Sequence, residues 1–297
     1  MDAAMTALWQ RQPVGIVGMG LIGGSLGLDL LARGSEVRAL VHRDATARRA
    51  LERGLASAVS TDPAVLSGCG LVLLALPLDQ LLTPAASLLQ ALPEGAVITD
   101  VGSVKAPVQA VWERVLDPSR GCRFVPSHPM AGTARAGVEA GEAGLFRRRP
   151  WVATPSAATD AGALEQVQQL ALALEAEWIT CSAADHDRAV ALISHLPVLV
   201  SAALLQAADR GGAAIGGELP SLVRALASSG FADTSRVGGG NPELGTWMAR
   251  WNRAALLEAL GQYRQALEGL EQQVRQQSWP ELTAALAECQ QLRPGFL

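Results

Sequence analysis

Up to about Thr180, short runs rich in β-branched and leucine side chains alternate with stretches whose apolar positions recur every three or four residues. That alternation predicts βαβ units built on a parallel sheet. Strands are expected at Val14–Val17, Glu36–Val41, Leu71–Leu76, Ala96–Thr99, Cys122–Val125, Pro150–Thr154 and Glu177–Thr180. Unbroken apolar runs such as LVLLAL suit strands covered on both faces. Helices are expected at Leu21–Arg33, Ala45–Arg53 and Ala161–Ala176, with Gly34 and Gly54 just past the first two, where a left-handed residue ends a helix. After about Ser182 the strand signal stops and helical periodicity continues to the end. Asn241-Pro242 pairs a capping residue with proline at the first helical position. From there Leu244, Trp247, Trp251, Ala254, Leu257, Leu260, Tyr263, Leu267, Leu270 and Val274 form one stripe, which predicts a single helix of about nine turns. So long a helix has few partners within its own domain, so part of the stripe is expected against a second subunit, making a homodimer. A last short helix is expected from Pro280. The domains are read as 1–181 and 182–297.

Composition narrows the class. Hydrophobic residues make up 49% of the 297 and charged ones 18%, which excludes a disordered chain. A net charge of −4, with no basic block beyond Arg147, Arg148 and Arg149, argues against nucleic acid as a partner. Cys69, Cys122, Cys181 and Cys289 are far apart without a CxxC pair, which fits neither a disulfide framework nor a zinc site and suits a reducing cytoplasm. The N-terminal MDAAMTALWQRQP lacks the pattern of a secretion leader. The apolar stretch Ala189 to Ala208 contains Ser194, His195, Pro197, Ser201 and Gln206, so a buried helix is expected there and no membrane span.

Candidate chemistry begins after the first strand. VGIVGMGLIG puts Gly18, Gly20 and Gly23 between a strand and a helix, the context in which G-x-G-x-x-G binds a dinucleotide. Gly18 permits the tight turn, Gly20 lets backbone approach a pyrophosphate, and Gly23 lets helix and strand pack closely. The free N–H groups at the helix start, Leu21 and Ile22, would receive the anion. The alternative is an ordinary glycine-rich turn. An acid at the end of the second strand would bind the ribose hydroxyl of NAD, but that strand ends Val41-His42-Arg43. With His42 in the acid's place and Arg43 able to grip a phosphate, NADP is expected. Arg43 as a plain surface charge is the alternative. Asp44 is read as the cap of the following helix.

Ligands of such sheets lie beyond the carboxyl ends of the strands. Two polar segments emerge there: TDVGSVK, with Ser103, and PSHPMAGT, with His128 in a loop. A neutral imidazole at His128 could accept a proton from a substrate hydroxyl, which Ser103 could also hold. A loop histidine without chemistry is the alternative. His186 is read, like His42, as a surface or cofactor-edge group. In ISHLPV a histidine, His195, and a proline, Pro197, interrupt an apolar helix, and the proline is expected to kink it and open a pocket. His195 also fits a satisfied core position. In GFADTSRVGGGN, Arg236 beside three glycines suits capture of a carboxylate, or else a structural pair with Asp233.

Together, VGMGLIGGSL, TDVGSVK, SHPMAGT, DHDRAVALISHLPV and SGFADTSRVGGGNPEL, in this order from Val14 to the C-terminal helix, resemble the prephenate/arogenate dehydrogenases of tyrosine biosynthesis. The resemblance implies a Rossmann-like doubly wound parallel sheet followed by an all-α dimerisation domain, and an oxidative decarboxylation that leaves an aromatic ring. It implies that His128 is the catalytic hydrogen-bond acceptor for the ring hydroxyl, assisted by Ser103. His195 would line the pocket and Arg236 would bind the ring carboxylate. Prephenate-preferring members commonly read SHLPH, whereas Val198 stands fifth here. With Arg43, this departure points to the arogenate-type branch that uses NADP and makes L-tyrosine from L-arogenate. The alternative product is 4-hydroxyphenylpyruvate from prephenate. Two-domain dehydrogenases of β-hydroxyacids or imino acids usually rely on a lysine in the helical domain, but the sole lysine, Lys105, is in the first domain. An NADP-sensing module without catalysis would leave His128 and Ser103 unexplained.

Overall fold

The computed structural model describes residues 8–133 and 135–296; residues 1–7 of the segment read for a leader lie outside the described residues. Six strands form a parallel sheet: β1 (Val14–Val17), β2 (Val37–Leu40), β3 (Ala58–Ser60), β4 (Leu71–Leu74), β5 (Val97–Asp100) and β6 (Arg123–Val125). Their spatial order is β3-β2-β1-β4-β5-β6, so the connections reverse direction between β1 and β4. Each central strand is buried throughout, and its alternate side chains divide between two cores. Val14, Ile16, Leu71, Leu73 and Val97 meet Leu26 and Leu30 of the helix Leu21–Leu31 and Leu170 of the helix Ala161–Ala173. Val17, Val72, Leu74 and Ile98 meet Leu78, Leu81 and Trp112 on the other face. Period-two side chains on a doubly covered sheet require this division, which explains why the strands read as continuous apolar runs.

Three expectations about the strands need correction. The strands expected at Pro150 and Glu177 do not join the parallel sheet. They are β8 (Pro150–Ala153) and β9 (Glu177–Thr180) of a separate three-stranded sheet, ordered β7-β8-β9. Its first strand, β7 (Ser127–Pro129), pairs antiparallel with β8 and carries His128, which was expected in a loop. Pro126 precedes that strand and Pro129 is its last residue, which hides it from any periodicity argument. The short β3 strand was also not expected; it is the sheet edge, with half-buried residues.

Beyond β9 the described residues are helical. Ala183–Val190 continues through one π-turn, Ala191–His195, into Leu196–Ile215. Pro197 cannot donate to the carbonyl four residues earlier, and the widened turn just before it absorbs the mismatch without ending the helix. The stripe expected as one helix from Pro242 breaks at Asn252 into Pro242–Trp251 and Arg253–Arg275. Asn241 caps the first piece through the N–H of Glu243, as expected. The final helix spans Trp279–Leu292.

The turn after β1 fixes how closely the first helix packs. A Cβ on Gly23 would stand 1.9 Å from the Gly18 carbonyl oxygen, whereas one on Gly20 would meet no heavy atom within 4 Å. Gly23→Ala should therefore cost stability of about 1–3 kcal/mol, whereas Gly20→Ala should leave the denaturant midpoint unchanged. Equilibrium unfolding of the two variants checks this.

Candidate active site

Both halves of the cofactor cradle lie at the carboxyl edge of the sheet. Gly18 adopts a left-handed φ of +97° as the chain leaves β1, and a Cβ there would sit 2.4 Å from the Ala75 carbonyl oxygen beside β4. The following helix begins at Leu21 with Gly20 as its cap and no side chain satisfying its first turn. The amides of Leu21, Ile22 and Gly23 are therefore left for an external acceptor, and the open space at Gly20 gives it access. This arrangement fits a diphosphate. His42 and Arg43 are exposed just past β2, and no carboxylate stands between the end of that strand and Arg43. Asp44 is not the cap of the next helix. Arg43 occupies that position without a side-chain bond, while Asp44 begins the first turn and accepts from the Thr61 hydroxyl at 3.0 Å.

The reacting side is built around buried charge. Asp100, at the end of β5, is paired with the fully buried Lys105, whose ammonium also donates to the Ser127 carbonyl at 2.6 Å. Asp100 also accepts from the backbone N–H of Gly102 and Ser127 at 2.9 and 3.1 Å. The Ser127 hydroxyl donates to the Asp100 carbonyl and accepts from the Trp151 indole. The segment carrying half-buried Ser103 is thereby locked to the strand carrying His128.

The helical half closes the same network. Asp187 in the helix Ala183–Val190 accepts from the backbone N–H of Lys105 at 2.7 Å and of Ala106 at 2.9 Å, capping the helix Ala106–Val115 from outside. Its Oδ1 also lies 2.8 Å from Nδ1 of His186, and Nε2 of His186 lies 3.0 Å from Nδ1 of His128. His186 is thus neither a surface nor a cofactor-edge group; it is buried between Asp187 and His128. Burial, first, and then the neighbouring His186, Lys105 and His195 hold the His128 imidazole well below its ordinary value.

His195 ends the π-turn and is buried. The break at Asn252 explains its state. The Asn252 amide nitrogen donates to the Asp187 carbonyl at 2.6 Å and lies 3.1 Å from His195 Nδ1. A carbonyl only accepts, so the amide orientation is fixed, His195 Nδ1 is an acceptor, and its proton is on Nε2. That Nε2 is buried and has no partner among the described residues. Burial pushes this imidazole down to about 4, so it is a neutral donor lacking an acceptor. His195 is therefore not the satisfied core histidine that the sequence also allowed.

Arg236 does not lie in a glycine loop as expected. It follows the helix Ser229–Ser235 and opens a 3-10 turn through Gly239. It is exposed and makes no ion pair among the described residues, with Asp233 or otherwise. Its turn is clamped to the long helix: the Ser201 hydroxyl donates to the Thr234 carbonyl and accepts from the Gly238 amide. Gly238 packs so closely there that a Cβ would sit 2.3 Å from the Ala202 nitrogen. The residues missed in the sequence, His186, Asp187, Asn252 and Asp100, act through other side chains. The adjacent histidine and acid in DHD hinted at His186 and Asp187 alone.

Comparison with known proteins gives the same picture. Residues 26–180 match the nucleotide-binding domain of prephenate dehydrogenase, and residues 182–288 match its dimerisation domain. The crystal structure of Synechocystis arogenate dehydrogenase is similar at 40% identity and TM-score 0.79, covering 96% of this chain and 100% of that one. Prephenate dehydrogenase from Aquifex aeolicus, solved with hydroxyphenyl propionate and NAD+, is similar at 25% identity and TM-score 0.86, covering 96% and 98%. The cyclohexadienyl dehydrogenase of Zymomonas mobilis is 31% identical over 286 residues, 94% of each protein. A six-stranded nucleotide-binding domain, a helical dimerisation domain and these matches along nearly the whole chain establish that it belongs to the prephenate/arogenate dehydrogenase family of oxidoreductases.

Proposed function

We propose that this protein is an arogenate dehydrogenase, converting L-arogenate to L-tyrosine and CO2 with NADP+. The observation that carries the reading is the pair of neighbouring histidines with opposite roles. His128, held neutral, has one ring nitrogen free to accept, and His195 is a buried donor without a partner among the described residues. In this reading the C4 hydroxyl lies on His128 and Ser103, His195 donates to a substrate oxygen, and Arg236 takes the ring carboxylate. Gly18, Gly20, Leu21, Ile22 and Gly23 cradle the diphosphate, and His42 and Arg43 meet the 2′-phosphate. NADP+ supplies a hydride acceptor at its nicotinamide. His128 draws the hydroxyl proton toward Nε2 as hydride leaves C4. The electrons released with CO2 then flow through the ring to that oxygen, which recovers its proton as a phenol. No proton is consumed or released overall.

Arogenate over prephenate rests on Val198 and on the likeness to the Synechocystis enzyme. Val198 Cγ1 lies 3.6 Å from where a Cβ on Gly245 would stand, so an apolar side chain occupies the seam between two helices of the substrate half. NADP rests on Arg43 and the missing acid after β2. The nucleotide domain is taken to end at Cys181, and the working compartment is the cytoplasm. A homodimer is supported by the dimerisation-domain match and by the exposed apolar residues Leu222, Leu226, Leu257, Leu267 and Leu286. The continuous helix Ala183–Ile215, where a buried helix was expected, is long and apolar enough to cross a membrane, and only 28% of an apolar 18-residue stretch of it is buried within one chain. In this reading a second subunit covers its free face.

Reduced-cofactor formation with arogenate or prephenate, each against NADP+ and NAD+, tests the assignment. Turnover confined to arogenate with NADP+ is expected. Turnover with prephenate would overturn the substrate assignment, and an NAD+ preference would overturn the cofactor assignment. Arg43→Ala should raise KM for NADP+ and leave KM for NAD+ unchanged. His128→Asn should lower kcat by about 10²–10⁴-fold with substrate binding retained; turnover near that of the wild type would remove His128 from the chemistry. Arg236→Ala should raise KM for arogenate by about tenfold or more, the loss of a charge-assisted bond.

A further inference from the structure

The base itself raises a chemical difficulty. His128 must receive a proton while hydride leaves, yet burial and the Lys105 ammonium oppose a positive charge on its ring. The geometry points to His186 as the place where that charge resides during the reaction, with Asp187 as its counter-ion. This inference rests on the dehydrogenase reading above and adds a positioning and proton-holding role that the family match does not supply.

The hydrogen-bond chain determines where each proton can stand. The Asp187 carboxylate accepts two backbone N–H groups, so the 2.8 Å contact to His186 requires the proton on His186 Nδ1. One proton is then shared between His186 Nε2 and His128 Nδ1, 3.0 Å apart. With that proton on His128 Nδ1, its Nε2 lone pair is bare and able to accept from a hydroxyl. When Nε2 takes the hydroxyl proton, the Nδ1 proton can move to His186 Nε2. Two N–H bonds form, on His128 Nε2 and His186 Nε2, while the substrate O–H and the His128 Nδ1–H bonds break. His128 is again neutral, and the imidazolium is His186, against Asp187. As the ring becomes aromatic both protons retrace their paths, so the net reaction is unchanged. Without this outlet the charge would have to stay on the less favourable ring. The groups facing the pair are Asp187, Lys105 with Asp100 behind it, and His195.

The test uses the full-length protein in two ways. His186→Gln retains an acceptor for the His128 Nδ1 proton but cannot itself take it. Its kcat should fall by about 10²-fold with KM for arogenate and NADP+ retained. The acid limb of kcat/KM should move to lower pH, because the first proton, which the wild type places on His186 against Asp187, must then be held by His128 itself, out of water and beside Lys105. A purely structural role would change folding or KM without moving that limb. On the wild-type enzyme, single-turnover rates in mixed H2O and D2O should depend on deuterium content with the curvature of two protons in motion. An unchanged kcat and acid limb in His186→Gln, or a linear isotope dependence in the wild type, overturns the relay. A wild-type protein inactive in all four substrate and cofactor pairings would instead overturn the dehydrogenase assignment beneath it.

Discussion

Asp187 joins the two halves of the site. Its carboxylate is taken out of water, which costs several kcal/mol for an isolated ion, and the cost is offset by three donors from two parts of the chain. Two are the free amides at the start of the helix Ala106–Val115, and the third is the His186 ring. Its backbone carbonyl meanwhile accepts from Asn252. One residue of the helical half therefore orients His128 through its side chain and His195 through its main chain. The arrangement also explains how a helix start with no cap of its own, at Lys105, can be buried.

A second buried pair does the same work within the nucleotide half. Lys105 and Asp100 are both fully buried, and each partner satisfies further groups: the ammonium serves the Ser127 carbonyl, and the carboxylate serves the amides of Gly102 and Ser127. Buried ion pairs are weak sources of stability but strong sources of geometry, since removing either partner leaves an uncompensated charge. Here the geometry gained is the register between the end of β5 and β7. Lys105 is the link between the two networks, because its amide serves Asp187 and its amine serves Asp100. The only lysine in the chain is thus spent on architecture.

The helical half shows how local irregularity shapes the candidate site. His195 and Asn252 lie on two different helices, each at a departure from regular α-helix. The π-turn before Pro197 and the break at Asn252 bring the two side chains together, with the Asn252 amide nitrogen bridging the Asp187 carbonyl and His195 Nδ1. Such departures from regular helix need support from the surroundings and concentrate where ligands bind. That construction leaves His195 Nε2 buried without an acceptor among the described residues.

By itself the sequence determined the parallel sheet, the glycine turn and the change to helices after β9, because these follow from local rules. Side-chain periods of two and 3.6, glycine at tight approaches and a cap before a proline are all visible within a few residues. It also brought His128, His195 and Arg236 forward as candidates through their unusual settings. What only the tertiary structure decided involves residues far apart in the chain. The second small sheet depends on β8 choosing β7 and β9 as partners, and two prolines conceal β7. The helix break at Asn252 is invisible in a stripe whose apolar spacing continues through it. The roles of His186 and Asp187 depend on contacts with His128, Lys105 and Ala106, more than fifty positions away, which no local pattern encodes. The protonation of each histidine follows from its hydrogen-bond partner, and that partner is chosen by the fold.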